Sequence, residues 1–168
     1  MPATREDLLA RLAQLGITVA TRDHPAVHTV AESERLHREI AGAHTKNLFL
    51  RDKDGALFLV VAEAHTHIDL KLLARQLGCG RLSFGRGELL QGVLGVGPGS
   101  VTAFAVMNDE SGLVRVVIDE RLMAHAVINC HPLVNTATTS IARDDLLRFI
   151  RASRHEPRIL RLDGENRR

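Results

Sequence analysis

Lys46 stands between Thr45 and Asn47, two side chains that both donate and accept hydrogen bonds. It opens the run Leu48-Phe49-Leu50-Arg51-Asp52-Lys53-Asp54-Gly55-Ala56-Leu57-Phe58-Leu59-Val60-Val61. An ammonium held at the mouth of a rigid strand can bind a phosphate or polarise an ester. A solvated lysine at a strand end does neither, and spacing alone favours that plainer reading. A second stretch, Gly92-Val93-Leu94-Gly95-Val96-Gly97-Pro98-Gly99-Ser100, places four glycines in nine positions. Main-chain N–H groups can approach a ligand closely there and converge on an anionic or developing oxyanion oxygen. It is not a P-loop, since no Gly-Lys-Ser/Thr follows, and its context is wrong for a dinucleotide fingerprint. His131, in Asn129-Cys130-His131-Pro132, follows a predicted strand and has its exit fixed by proline. A histidine there can donate a hydrogen bond to a carbonyl or position a water.

His65 and His67 form a His-x-His pair, half of a metal site if it lies on a strand. No second cluster with complementary spacing accompanies it, and the pair falls between a strand and a helix, so a loop role is the expectation. No Gly-x-Ser-x-Gly elbow and no histidine-activated nucleophile is evident. Arg51, Lys53, Arg81 and Arg86 form a candidate basic rim for phosphates, with Arg81 the favoured member. His44 precedes the Lys46 block and borders the same region.

The elements that must position these groups are legible in outline. Thr4 caps a helix carrying Leu8, Leu9, Leu12 and Leu15, ended by Gly16, and Ile17–Thr21 reads as a short strand. Thr29 to Ile40 reads as a helix with a thin apolar face of Val30, Leu36 and Ile40, loosely held and suited to a lid. The Lys46 run reads as a hairpin turning at Asp54-Gly55. Asp69 caps a helix ending at Gly78. Arg81–Phe84 reads as a strand, Glu88 starts a brief helix, and Gly92–Gly99 reads as a loop. Ala103–Met107 and Leu113–Asp119 read as a second hairpin around an Asn108–Gly112 turn. Met123–Ile128 and Thr136–Ile141 are strand candidates, Arg143–Ser153 is an amphipathic helix, and Pro157–Leu162 is an edge strand before a frayed 164–168 end. Hairpins interspersed with helices predict one α+β domain over 1–168 around a mixed, mostly antiparallel sheet.

Composition narrows the partners. The 168 residues suit one domain that buries about 70% of its unfolded surface. With no Trp and no Tyr, the chain lacks the aromatic platforms on which sequence-reading RNA modules stack bases. A formal charge of +2 permits contact with a nucleic-acid end without announcing a broad binding surface. Cys79 and Cys130 have no paired spacing, which fits a reducing cytoplasm. No apolar run approaches the roughly 18 residues of a membrane span. A soluble, cytoplasmic protein without cofactor or metal is the expectation.

Three blocks in order, Thr45-Lys46-Asn47-Leu48-Phe49-Leu50-Arg51-Asp52, then Pro98-Gly99-Ser100-Val101-Thr102, then Asn129-Cys130-His131-Pro132-Leu133 followed by Asn135-Thr136-Ala137-Thr138-Thr139, resemble the YbaK-like superfamily. This is the family of the editing insertion domain of bacterial prolyl-tRNA synthetase, and the likeness is nearest to its free-standing ProXp-ala group. The resemblance implies a curved mixed sheet with packed helices, no metal, and deacylation of alanine mischarged on proline tRNA. It implies that Lys46, Asn47 and His131 are catalytic, with His131 lining the pocket opposite Lys46. It implies that Thr45, Gly95, Gly97, Pro98, Gly99 and Ser100 bind the aminoacylated terminal adenosine; the candidate basic rim, with Arg81 and Arg51, would then hold the acceptor-stem phosphates. Ala103 stands where close relatives often carry proline, a departure that bears on loop rigidity. The partner implied is the acceptor end of tRNA(Pro) charged with alanine, with prolyl-tRNA synthetase as a further candidate. The competing readings are a deacylase for Cys-, Ser- or Thr-tRNA, a non-catalytic tRNA- or synthetase-binding module, and a metal-dependent hydrolase using His65 and His67.

Overall fold

The Lys46 run forms a hairpin in a computed structural model that describes residues 1–163. Strand β2 (Ala43–Asp52) runs antiparallel to β3 (Leu57–Glu63), with Lys46 opposite Ala62 and Leu50 opposite Phe58. The turn is locked from within: Asp52 accepts hydrogen bonds from the main-chain N–H groups of Asp54 and Ala56, both at 2.9 Å, and Gly55 takes φ +92°. The frayed end expected over 164–168 lies outside the described residues.

Around this hairpin the remaining strands are β1 (Ala20–Asp23), β4 (Leu82–Phe84), β5 (Val114–Asp119), β6 (Val127–Cys130), β7 (Ala137–Ala142) and β8 (Arg158–Leu160). Their order is β1-β7-β6-β2-β3-β5-β8, with β4 also paired to β2. The sheet is mixed. β1–β7, β6–β7, β2–β3 and β2–β4 are antiparallel; β2–β6, β3–β5 and β5–β8 are parallel.

The helices start where their caps dictate. Thr4 and Asp7 form a reciprocal capping box before α1 (Arg5–Gln14), and Thr29 and Glu32 do the same before α2 (Val30–Glu39). Asp69 caps α3 (Leu70–Leu77), which stops at Gly78 in the left-handed region. The last two are α4 (Glu88–Leu94) and α5 (Arg143–Ala152). One face of the sheet packs on α1, α4 and α5 through Leu8, Leu12, Phe49, Leu90, Phe104 and Phe149. The other packs on α3 through Leu50, Phe58, Val60 and Leu73.

The second hairpin does not form. Residues Ala103–Asn108 make a 3-10 helix, and β5 lies parallel between β3 and β8. Ala103, Phe104, Ala105 and Val106 are all fully buried, so their apolar run reflects burial on every side rather than a strand's alternation. Gly92 lies inside α4 and Glu120–Ala124 is a 3-10 helix, so the glycine loop and the strand beginning at Met123 are both shorter than the residue pattern suggests. Ile17 is buried ahead of β1, which starts only at Ala20.

The feature that matters for function is a break along one edge of β2. Ala43 and His44 pair with Ile128 and Asn129 of β6, while Leu50, Arg51 and Asp52 pair with Phe84, Ser83 and Leu82 of β4. Gly85 extends the β4 contact by donating its N–H to the Phe49 carbonyl at 2.9 Å. The bonds from Asp52 N–H to Ala56 O (2.9 Å) and Ala64 N–H to His44 O (2.8 Å) aim the even-numbered main-chain groups of β2 at β3. The odd-numbered groups therefore point the other way, and those of Asn47 enter the gap between β6 and β4.

Candidate active site at the break in strand β2

Two hollows flank the break. One is lined by Asn47, Phe49, Gly85, Arg86, Pro98 and Val101, among others, and the second by Leu36, His37, His44, Thr45, Cys130 and His131. Their volumes, about 260 and 210 Å3, fall below the roughly 300–1,000 Å3 of a pocket for a drug-sized ligand, so each suits one part of a larger substrate. Thr45 and Asn47 share one face of β2 because side chains alternate, and each borders one hollow.

The Asn47 side chain holds an unspent acceptor: its Oδ1 is buried and has no hydrogen-bond partner. Buried polar atoms are nearly always paired, so an orphan acceptor beside a hollow marks a place where a ligand's donor fits. His155 Nδ1 and Gln76 Oε1 are orphaned too, but neither residue borders a hollow.

His131 is held from two sides. Its Nδ1 lies 3.0 Å from the Ala137 carbonyl and so carries the proton, which leaves Nε2 as a lone-pair acceptor in the neutral ring. Its own carbonyl accepts the hydroxyl of fully buried Thr102 at 2.7 Å. Burial pulls the His131 pKa below the ordinary histidine value, so the ring is neutral at physiological pH. Leu133, two residues on, takes φ +68°, a costly conformation for a bulky residue that turns the chain back toward β7.

Thr102 ties the glycine segment to this loop, and Gly99 lies close against it: a Cβ there would sit 3.2 Å from Asn135 Nδ2. Pro98–Ser100 is a 3-10 turn in which Ser100 N–H bonds Gly97 O at 3.0 Å. Pro98 has no N–H, so Gly97 and Gly99 carry main-chain donors not engaged within the turn. Gly95 serves the fold. At φ +67° it ends α4, and a Cβ there would meet Asn108 Nδ2 at 2.7 Å.

Lys46 sits at the centre of the break in sequence, but alternation sends its side chain to the opposite face from Thr45 and Asn47. It lines neither hollow, is half-buried, and among the described residues makes no hydrogen bond or ion pair. The Thr45 hydroxyl is used within the fold, donating to the Asn129 carbonyl at 2.8 Å and so stitching β2 to β6. Ser100 is half-buried beside Val101 and outside both linings. Arg81 is not brought to the glycine segment; it lines a crevice against α3 with Lys71 and Arg75. Arg51 is exposed on β2. The basic group at the Asn47 hollow is Arg86, whose guanidinium lies 5.4 Å from the Phe84 ring centroid. Cys130 borders the His131 hollow as an inert thiol, pushed up to about 12 by complete burial.

The match to known proteins covers this whole arrangement. A family description for the aminoacyl-tRNA editing domain fits residues 24–149. The chain belongs to the aminoacyl-tRNA editing domain family. The prolyl-tRNA editing protein ProX of Acetoanaerobium sticklandii is 36% identical over 150 residues, covering 89% of this chain and 92% of its own length. The prolyl-tRNA synthetase associated domain-containing protein 1 of Danio rerio is 38% identical over 161 residues, covering 95% and 88%. The Bos taurus protein of that name is 37% identical over 164 residues, covering 95% of each. A crystal structure of a candidate trans-editing enzyme for prolyl tRNA synthetase superposes with TM-score 0.72 at 16% identity, over 96% of this chain and 98% of that one, which shows the shared fold.

Two groups of this editing domain escape sequence reasoning. Thr102 positions His131 through a main-chain contact that no spacing signals. His37 and Leu36 of α2 reach the His131 hollow only because the chain folds back, although the thin apolar face of α2 does announce that no residue of it is buried. Among the described residues no helix is long and apolar enough to cross a membrane.

Proposed function

We propose that this chain is a trans-editing hydrolase that removes alanine from mischarged tRNA(Pro). The observation that carries the reading is the break in β2, where the orphan acceptor of Asn47 and Pro98 of the glycine segment line one hollow and the fixed His131 lines a second. The names of the relatives, a prolyl-tRNA editing protein and prolyl-tRNA synthetase associated domain proteins, support prolyl-tRNA as the substrate class.

An aminoacyl ester is already activated, so its hydrolysis needs orientation, a placed water and oxyanion stabilisation more than a protein nucleophile. Asn47 Oδ1 accepts a hydroxyl of the terminal ribose. The unpaired ammonium of Lys46, on the other face of β2 from Asn47, holds a backbone phosphate of the acceptor end. Water adds to the ester carbonyl, its proton passing to the neighbouring ribose hydroxyl or His131 Nε2, and the Gly97 and Gly99 N–H groups take the oxyanion. The intermediate then expels the ribose oxygen, which recovers the proton, and alanine leaves as its carboxylate. Selectivity is steric. A pocket that fits alanine's methyl excludes the proline ring, since overlap costs more than an unfilled methylene. The same reading places the protein in the cytoplasm, with the charged acceptor end as ligand and prolyl-tRNA synthetase as a partner.

Deacylation of tRNA(Pro) charged with alanine, serine, cysteine, threonine or proline tests this. Alanine is expected to be released fastest and proline spared. Faster release of serine, cysteine or threonine moves the assignment to another editing substrate, and binding without turnover makes the chain a non-catalytic module.

A further inference from the structure

The end of β3 and the helix α2 hold a cluster that the hydrolysis uses nowhere. Glu34 and His37, three residues apart on one face of α2, meet His65 from the β3–α3 connection, and one donor atom from each lies within 4.8 Å of the others. His65 Nε2 is 3.2 Å from Glu34 Oε1, and His65 Nδ1 is 3.0 Å from Oε1 of buried Glu63. His37 Nδ1 is buried without a partner, while its Nε2 is 3.4 Å from Ser33 Oγ.

We propose that Glu34, His37 and His65 bind one divalent transition-metal ion, with zinc the natural occupant, and that the ion clamps α2 to the sheet. Glu63 accepts the Nδ1–H of His65 and thereby presents Nε2 as a lone pair, the carboxylate–histidine arrangement that supports metal-bound imidazoles. In the protonated ring that nitrogen donates to the Glu34 carboxylate at 3.2 Å, so a metal ion enters there in exchange for one proton. A ring nitrogen of His37 supplies the third donor. A tetrahedral ion with bonds of about 2.0–2.1 Å holds its donors about 3.3 Å apart, so the His65–Glu34 edge already fits. The His37 side must close by at most about 1.5 Å, a side-chain rotation. Two imidazoles and a carboxylate with one position left for water suit zinc better than magnesium or calcium. His67, the other half of the His-x-His pair, takes no part.

The clamp has a purpose in the fold. Helix α2 buries no residue, yet its Ser33, Leu36 and His37 wall the His131 hollow. An ion bridging α2 to the β3–α3 connection fixes that wall without an apolar core. The inference stands independently of the ester hydrolysis, because it is read by metal binding with no tRNA present.

The test is titration of the metal-free full chain with Zn2+, and with Co2+ as a visible-absorption probe. The expected result is one ion per chain, d–d bands of a four- or five-coordinate nitrogen–oxygen site, and a Tm higher by about 5 °C or more at a hundredfold excess over the dissociation constant. His65→Ala and Glu34→Gln should each weaken binding more than about tenfold, and Cys79→Ser should leave it unchanged. Glu34 lies on a surface helix, so Glu34→Gln decides the matter even where His65→Ala fails to fold. Absence of saturable binding, binding unaltered by both ligand variants, or binding lost in Cys79→Ser overturns the proposal; the first of these identifies the cluster as an ion-paired histidine alone.

Discussion

Asp109 and His155 face one another at 2.8 Å with side chains 2% exposed, and Asp109 also accepts the N–H groups of Leu113 and Val114 at 3.1 and 2.8 Å. Asn47 and His131 are only half-buried, and each keeps an acceptor without a partner beside a hollow. The first pair ties the residues after the Ala103–Asn108 helix to the end of α5 and uses its polarity on the fold. The second spends His131 Nδ1 on the Ala137 carbonyl and leaves Asn47 Oδ1 unpaired beside a hollow. Burial alone does not mark a candidate site residue here; an unspent bond next to space does.

That contrast predicts opposite phenotypes. Asp109→Ala leaves a buried histidine without its partner and should cost about 3–5 kcal/mol in urea unfolding, with deacylation per folded molecule unchanged. Lys46→Ala should behave in reverse. It removes an unpaired side chain, so the urea midpoint should hold while deacylation of Ala-tRNA(Pro) falls by about 10–100-fold in kcat/KM, as for loss of one hydrogen bond to a charged group of the substrate. A large loss of stability in Lys46→Ala, or near-normal turnover, breaks the comparison.

Thr102→Val lies between the two classes. It leaves the His131 carbonyl without its 2.7 Å donor, for a cost of about 1–2 kcal/mol, and should also slow deacylation because His131 shifts. The smallest effect is in pH dependence. Burial lowers the folded pKa of His131, so its contribution to stability is present above the unfolded value near 6.5 and is lost as pH falls through that value toward the folded pKa. His24 adds to the depression, and His37 and His44 line the same hollow. The acid limb of kcat should therefore lie below 6.5 and disappear in His131→Gln; an acid limb unchanged in that variant removes His131 from the reaction.

Local chemistry was legible in the residues where it is settled locally. Thr4 with Asp7, Thr29 with Glu32, and Asp69 with Gly78 announce three helices, and Asp54-Gly55 announces the β2–β3 hairpin. The run Ala103–Val106 misleads because complete burial erases the period that separates strand from helix. At the site, sequence points first to Lys46, which lines neither hollow, and also to Asn47 and Pro98, which line one, and to His131, which lines the other. It does not show the break itself, which depends on where β6 stops and β4 begins along β2. Nor does it show that Arg86, rather than Arg81, borders the Asn47 hollow, or that His65 meets His37 rather than working with His67.

The central claim is that the charged 3′ end is held at the open edge of β2 by groups the fold leaves unsatisfied. The most direct measurement is the deacylation rate of Ala-tRNA(Pro) and Pro-tRNA(Pro) by the native chain and by Asn47→Ala, with the urea midpoint of each. The account predicts that the native chain releases alanine and spares proline. It also predicts that Asn47→Ala loses about 100-fold or more in rate with its midpoint equal or higher, since the substitution removes a buried orphan acceptor. Unchanged alanine release by Asn47→Ala would contradict it.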